Sequence, residues 1–433
     1  LYVCKRLDIG WRDIGWALAR CLGPDLGDGR GGGGVDAGAD GPARRVEAWF
    51  APPGSGRGAL ACLSVRTGLD LTLGALALPP GSEILMSALT IPDMAAIVEA
   101  HDLVPVPVDI DPRTLAPPPG AFARLATAKT RAIVLAHLFG ARIPLDPYAA
   151  ICREHRWLLI EDAAQAFTGA ADSGRADSED GADVSLYSFG PIKTASALGG
   201  GVVTVRDGDL LRRMRAAERA LPAQSARELA ARLLKYASFK AVCAPRIYGA
   251  FAAICRRLGV DRDRLVHAAV RGFAGRSLLD QIRRRPARAL MSLLARRLDH
   301  AAALAPRIAR RAALGRRLAA ALGDGFDLPA AAVPAHSFWV FALVAPDADA
   351  VAAALRAAGF DATRVSSLAA LGAPPGRETH PPTEARRLLE RVVFLPLYPE
   401  LDEAAVDRMA AVLRQHRHAV GRPPPLFAPA ANV

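Results

Sequence analysis

The sequence predicts an α/β protein: a large domain built on a mainly parallel sheet, a helical insertion, and a small C-terminal α+β domain. Three observations predict it. Short apolar or β-branched runs recur at 84–89, 103–110, 132–139, 157–161, 183–189 and 201–205. Helical patterns separate several of them, at 67–78, 92–101, 146–155 and from Asp209 onward. The runs also lack strict apolar–polar alternation, as strands covered on both faces do. Strand–helix–strand alternation gives a parallel sheet with helices on both sides. Ligands of such sheets bind beyond the carboxyl ends of strands, so residues just past each run are the candidates.

Taken in order, residues 1–45 form an N-terminal segment with a Gly-rich stretch at 23–41. No apolar strand leads into that stretch, so it reads as a flexible loop rather than a phosphate loop. Residues 46–207 carry the alternating pattern and make the large domain. From 208 to 322 the pattern is almost wholly helical, and 281–320 holds eleven arginines against one acid, Asp299. Two readings of that basic span stand side by side: amphipathic helices with solvated faces, or peripheral contact with an anionic membrane surface. Residues 323–422 form the small domain, with strands at 338–343 and 392–395 and helices at 348–359 and 403–416. The Pro-rich tail 423–433 is expected to be disordered.

Composition removes several function classes. The chain has 433 residues, 51% hydrophobic and 23% charged, which suits a large core. A net charge of +12 could signal nucleic acid or phosphorylated ligands. Its basic residues are nearly all arginine, however, with lysine only at 5, 129, 193, 235 and 240. In an Ala-, Gly- and Pro-rich chain, compositional bias explains this more simply, and no nucleic-acid partner is expected. Six scattered cysteines form no CxxC pair, so no metal site or disulfide framework follows. Residues 1–6 lack a signal-peptide pattern, no apolar run approaches the roughly 20 residues of a bilayer span, and the expected location is the cytoplasm.

Three groups stand at strand ends. Glu161-Asp162-Ala163-Ala164-Gln165 follows one run, Ser188-Phe189-Gly190-Pro191-Ile192-Lys193 follows another, and Ser64-Val65-Arg66-Thr67-Gly68 opens a helix. A pyridoxal 5'-phosphate (PLP) site needs such parts. A lysine binds the aldehyde and later shuttles a proton, and a carboxylate faces the pyridine nitrogen. Hydroxyls and N–H groups at a helix N-terminus hold the phosphate. Each residue has an ordinary alternative: Asp162 a helix cap, Ser188 a loop serine, Lys193 a solvated lysine. The run Gly199-Gly200-Gly201 after the lysine, followed by another strand, favours the joint reading.

These motifs resemble those of the DegT/StrS-type sugar aminotransferases, a branch of the PLP-dependent aspartate-aminotransferase superfamily (fold type I). Glu161–Ala166 matches its EDAAQA signature, Ser188–Lys193 its SFxPxK signature, 82–111 its second-strand segment, and 394–399 its LPLYP strand. The resemblance implies a three-layer α/β/α large domain and a homodimer. It implies that Lys193 is catalytic and covalently holds PLP, that Asp162 contacts the ring nitrogen, and that Gln165 reaches or flanks the ring. Ser188, Arg66 and Thr67 would serve the phosphate. His137 sits where the family often has histidine, though on an apolar strand it could equally be a satisfied core residue.

The sequence also departs from that pattern. Ile91 stands where an aromatic usually stacks on the ring, Gly199 replaces an acid, and the phosphate turn carries Arg66. The implied function is transfer of an amino group, with glutamate as donor, to a keto sugar, nucleotide-linked, in polysaccharide or secondary-metabolite biosynthesis. Two alternatives remain: a catalytically weakened member acting at a membrane surface or in assembly, and a glycosyltransferase using Asp109-Ile110-Asp111 as a metal-binding DxD.

Overall fold

The computed structural model describes residues 2–22, 41–169, 181–273, 277–378 and 380–416. Most of the Gly-rich stretch and the Pro-rich tail considered above lie outside those residues. Helices α1 (Trp11–Leu22) and α2 (Pro42–Phe50) precede β1 (Gly58–Cys62), α3 (Val65–Leu76), β2 (Glu83–Ser87) and the two-residue β3 (Leu89–Thr90). Then come α4 (Pro92–Glu99), β4 (Val104–Val108), α5 (Pro119–Leu125), β5 (Thr130–Ala136), α6 (Asp146–His155), β6 (Leu158–Asp162), β7 (Val184–Ser188) and β8 (Gly201–Val205). Seven helices follow: α7 (Gly208–Ala220), α8 (Ala226–Val242), α9 (Pro245–Arg257), α10 (Arg262–Val270), α11 (Leu278–Ile282), α12 (Arg288–Asp299) and α13 (Ala301–Leu322). The chain closes with β9 (Phe341–Val344), α14 (Ala348–Ala357), β10 (Ala369–Ala370), α15 (Thr383–Arg391), β11 (Val392–Leu395) and α16 (Glu403–Gln415).

Seven strands form one sheet in the order β1-β8-β7-β6-β5-β2-β4. Neighbours from β7 through β4 are parallel, while β8 runs antiparallel to both β7 and β1. The two-residue period divides the side chains between layers. Leu60, Cys62, Ile160, Leu186 and Val203 pack towards α3, α4 and α7, whereas Ala59, Ala61, Tyr187 and Val202 pack towards α1, α2 and α12. The large domain is thus three-layered, as the unalternated apolar runs require.

This topology gathers the strand ends. His137 follows β5, Asp162 ends β6 and Ser188 ends β7, three adjacent strands pointing the same way. Antiparallel β8 starts at that same edge, with Gly201 opposite both Ser188 and Cys62, and β1 runs out there into α3. A Cβ at Gly201 would lie 2.5 Å from the Ser64 carbonyl carbon and 2.7 Å from the Val65 nitrogen. Only glycine lets α3 begin so close to the sheet.

Helices α7 and α12 lie against the large domain, on α3 and α2, while α13 packs on α16 of the C-terminal unit. The arginines of 281–320 are largely turned onto other elements. Arg283 pairs with Asp70, Arg284 with Glu228, Arg296 and Arg297 with Asp13, Arg307 with Asp8 and Glu400, and Arg317 with Asp407. The exposed pairs among them, such as Arg317 with Asp407, contribute about 0–1 kcal/mol each, so they fix how elements meet more than they stabilise. No helix among the described residues is long and apolar enough to cross a membrane.

Strand β9 starts three residues later than the expected run at 338. The preceding segment instead crosses the large domain: Ser337 N–H donates to Gly140 O (2.8 Å) and Val340 N–H to Phe139 O (3.3 Å). Phe338 takes a positive φ of 46° there. That detour carries Trp339 over the strand ends. The chain's first residues close the opposite side, with Tyr2 N–H bonded to Gly359 O and Cys4 N–H to Asp361 Oδ2.

Candidate active site

A cavity of about 870 Å³ opens over the gathered strand ends. Asp162, Gln165, Ser188, Lys193, His137 and Arg66 all line it. Thr67, the remaining residue expected there, does not. Its hydroxyl donates to Ile282 O (2.8 Å) and meets Ser64 Oγ (3.0 Å), while its N–H is capped by Ser64. Ser64 and the first-turn residues Val65 and Arg66 border the cavity instead. The start of α3 therefore faces it with first-turn N–H groups and the positive end of the helix dipole.

Asp162 is buried, and one oxygen accepts the Ala164 N–H (3.0 Å). Burial raises its pKa, against the pull of Ala164 N–H and of Lys193, His137 and Arg66. A buried carboxylate in this state calls for a cationic or N–H partner on its cavity side. Lys193 is partly buried, and burial brings its amine down to about 8, with Asp162 resisting the fall and Arg66 adding to it. Its Nζ sits 4.2 Å from the centre of the Trp339 ring, whose indole N–H donates to Ile192 O (3.0 Å). The coupling of Lys193 to Asp162 is coulombic, with no direct salt bridge between them.

His137 is held on both sides. Nδ1 accepts the Ile143 N–H (3.0 Å), so the proton rests on Nε2, which donates to Glu161 Oε1 (2.7 Å). Burial alone would raise the Glu161 carboxyl, but His137 and Arg142 together hold it well below its usual range. Only the face of the His137 ring is left for a ligand. Gln165 is likewise oriented, its Oε1 accepting the Phe139 N–H (3.0 Å) and leaving its amide NH₂ for the cavity.

Sequence reasoning missed Trp339, Arg311 and Arg232. The strand expected from 338 contains Trp339, the solvated-face reading of 281–320 covers Arg311, and Arg232 carries no reading of its own. Arg311 is in fact buried, donates to Ser337 O (2.9 Å), and is lowered to about 10 by that burial. The one signal within reach was indole chemistry, since a Trp at a strand entrance needs a partner for its N–H. Asp109 and Asp111, weighed as a metal-binding pair, are spent as caps. Asp109 accepts the N–H groups of Glu384 and Ala385, and Asp111 accepts that of Arg113.

Residues 43–232 match the model of the DegT/DnrJ/EryC1/StrS aminotransferase family. Over those residues, somewhat under half of its length, the chain is similar to that family. The stretch includes both strand-end motifs and the start of α3. The GDP-perosamine synthase of Caulobacter vibrioides is 37% identical over 36% of this chain and 42% of its own length. The match thus spans about two fifths of that relative. A UDP-N-acetyl-3-dehydro-alpha-D-glucosamine 3-aminotransferase of Acidithiobacillus ferrooxidans is 29% identical over 82% of this chain and 84% of its own. Among solved structures, Helicobacter pylori PseC, an aminotransferase involved in pseudoaminic acid biosynthesis, superposes with a TM-score of 0.66. It covers 96% of this chain and all of its own at 14% identity, a likeness of fold.

The residues present fit the PLP that the family implies. A buried carboxylate faces the cavity, a lysine of lowered basicity lies within its field, and a cradle that any Cβ at Gly201 would fill lies at the start of α3. An aromatic wall is also present, supplied by Trp339 from the C-terminal unit rather than by position 91.

Proposed function

We propose that the protein is a PLP-dependent aminotransferase that moves an amino group from an amino-acid donor, glutamate foremost, to the ketone of a nucleotide-linked sugar. The observation that carries this reading is Asp162 and Lys193 lining one cavity at the sheet edge, coupled through charge. When bound, PLP supplies an aldehyde that takes up amines and a ring that draws electrons from the adjacent carbon. Asp162 would hold a proton on the ring nitrogen. Ser188 and the first-turn N–H groups of α3 would bind the phosphate. Lys193, free of its proton more often than an ordinary lysine, would give and take a proton at Nζ next to the reacting carbon. Gln165 would orient the ring edge through its amide, and Trp339 would shield the lysine from water.

The acceptor class draws support from size and charge. A cavity of about 870 Å³ is near the top of the range for small-molecule sites, enough for cofactor and sugar together. Lys5, Lys240 and Arg271 are among its lining residues, cations that suit a diphosphate. The relatives named above bear nucleotide-sugar names. A homodimer in the cytoplasm is proposed on family resemblance. The weakened-member reading loses ground to Trp339, which restores an aromatic wall.

The test begins with purified protein and PLP. Borohydride should fix the cofactor on Lys193, with peptide mapping to distinguish it from the other four lysines. Lys193→Ala should stay colourless. Glutamate should then convert bound PLP to the amine form, and nucleotide-linked keto sugars should return it. Failure to take up PLP would overturn the proposal; uptake without turnover of any keto sugar would overturn the acceptor assignment.

A further inference from the structure

Helix α8 brings Arg232 to the wall of the cavity that the start of α3 also borders. Its Nε donates to Leu198 O (2.7 Å). A Cβ on Gly199, the next residue, would come 3.8 Å from that Nε. Gly200 N–H then bonds to Leu63 O (2.9 Å), and Gly201 backs onto Ser64 and Val65. Arg232 is therefore joined by three consecutive residues to the first turn of α3. Phe273 ties it to Arg66, for both guanidinium groups flank that ring, at 5.7 and 5.3 Å from its centre.

The charges of the two arginines are not equally answered. Arg66 Nε pairs with Asp93 Oδ2 (2.6 Å). Arg232 meets Leu198 O and the Tyr236 hydroxyl, and no carboxylate pairs with it among the described residues. Burial, with the Arg66 charge beside it, pushes its pKa down. A desolvated cation next to a second cation and a helix N-terminus is a standing demand for an anion. Ser188, Val65 and Arg66 line the same cavity as Arg232.

We propose that Arg232 is a phosphate-binding residue, contributed in cis from α8, which with Arg66 and the first turn of α3 holds the phosphate of PLP. This rests on the PLP reading above. Gly199, which replaces the acid of the related signature, puts no carboxylate beside the Arg232 guanidinium. Phe273 keeps the two guanidinium groups apart and aimed at the same oxygens.

The experiment compares PLP with pyridoxal, which lacks the phosphate, on ligand-free protein followed by absorbance. Arg232→Gln keeps a donor for Leu198 O and should weaken PLP about tenfold to hundredfold while leaving pyridoxal within about twofold. Arg232→Lys should recover part of the loss. On wild-type protein, phenylglyoxal modification of Arg232, mapped by mass spectrometry, should be slowed by PLP and by inorganic phosphate but not by pyridoxal. Unchanged PLP affinity, equal weakening of PLP and pyridoxal, or modification indifferent to phosphate would each overturn the assignment. Wild-type protein that binds neither compound would instead strike the PLP reading itself, before any substitution is made.

Discussion

Replacing Asp162 with Asn should make the Lys193 ammonium release its proton more readily, and replacing Arg66 with Met should do the reverse. Burial moves the amine from 10.5 to about 8, which is about 3 kcal/mol against the charged form. At pH 7 about one molecule in ten then carries a free amine, against about one in three thousand for an ordinary lysine. A unit charge several ångströms away in such a site contributes on the order of 1–2 kcal/mol. Each substitution should therefore move the midpoint by about one pH unit, downward for Asp162→Asn and upward for Arg66→Met. Reductive methylation of ligand-free protein reads this directly, because only the free amine reacts. Peptide-resolved mass spectrometry across pH 6–11 would follow Lys193, with exposed Lys129 as internal comparison. A midpoint near 10.5, or shifts of the opposite sign, would refute the electrostatic account. Stability follows the same sign. The folded lysine holds its proton less tightly than the unfolded one, so ligand-free protein should gain stability as pH rises from about 8 towards 10.5. Lys193→Met should flatten that rise.

Gly201→Ala should cost about 1–3 kcal/mol by overpacking and weaken PLP binding, since the added Cβ meets the Ser64–Val65 backbone. Wild-type melting and affinity in that variant would contradict the close approach. Glu161→Gln should cost about 3–5 kcal/mol near neutral pH, because it removes a buried negative charge that His137 and Arg142 both bond. The wild-type advantage is complete above the ordinary carboxyl value of 4.5 and fades as pH falls through the lower folded value. Denaturation curves of the two proteins should therefore converge in acid, and parallel curves would count against the ion pair. Trp339→Leu should leave the fold intact but weaken PLP binding several-fold, by removing the lid over Lys193 and its bond to Ile192. Unaltered binding would place Trp339 outside the site.

The parts of the site written in contiguous motifs were legible in the sequence. Asp162 and Ser188 close strands whose apolar runs announce them, and the glycine run after Lys193 marks the turn into β8. What escaped is non-local. Strand β1, reading Gly-Ala-Leu-Ala-Cys, is too short and alanine-rich to stand out, and its place depends on antiparallel pairing with β8. Thr67 and Ser64 are three residues apart on one helical turn, and sequence alone does not say which one caps and which faces the cavity. Arg232 and Arg311 lie in a span whose arginines look alike on paper, and only tertiary placement separates those pairing with acids from those facing the cavity.

Residues 4–10 line the same cavity as Tyr398 and Glu400, and Cys4 is bonded to a residue 357 positions away. A chamber whose walls come from opposite ends of the sequence cannot be assembled in halves. The sheet edge with its amine and carboxylate can form early, but it stays open to water until residues 4–10 and 398–400 have closed over it. Contacts of such long range are slow to find. Closure of the pocket over Lys193 is therefore set to come late in folding, after the sheet itself.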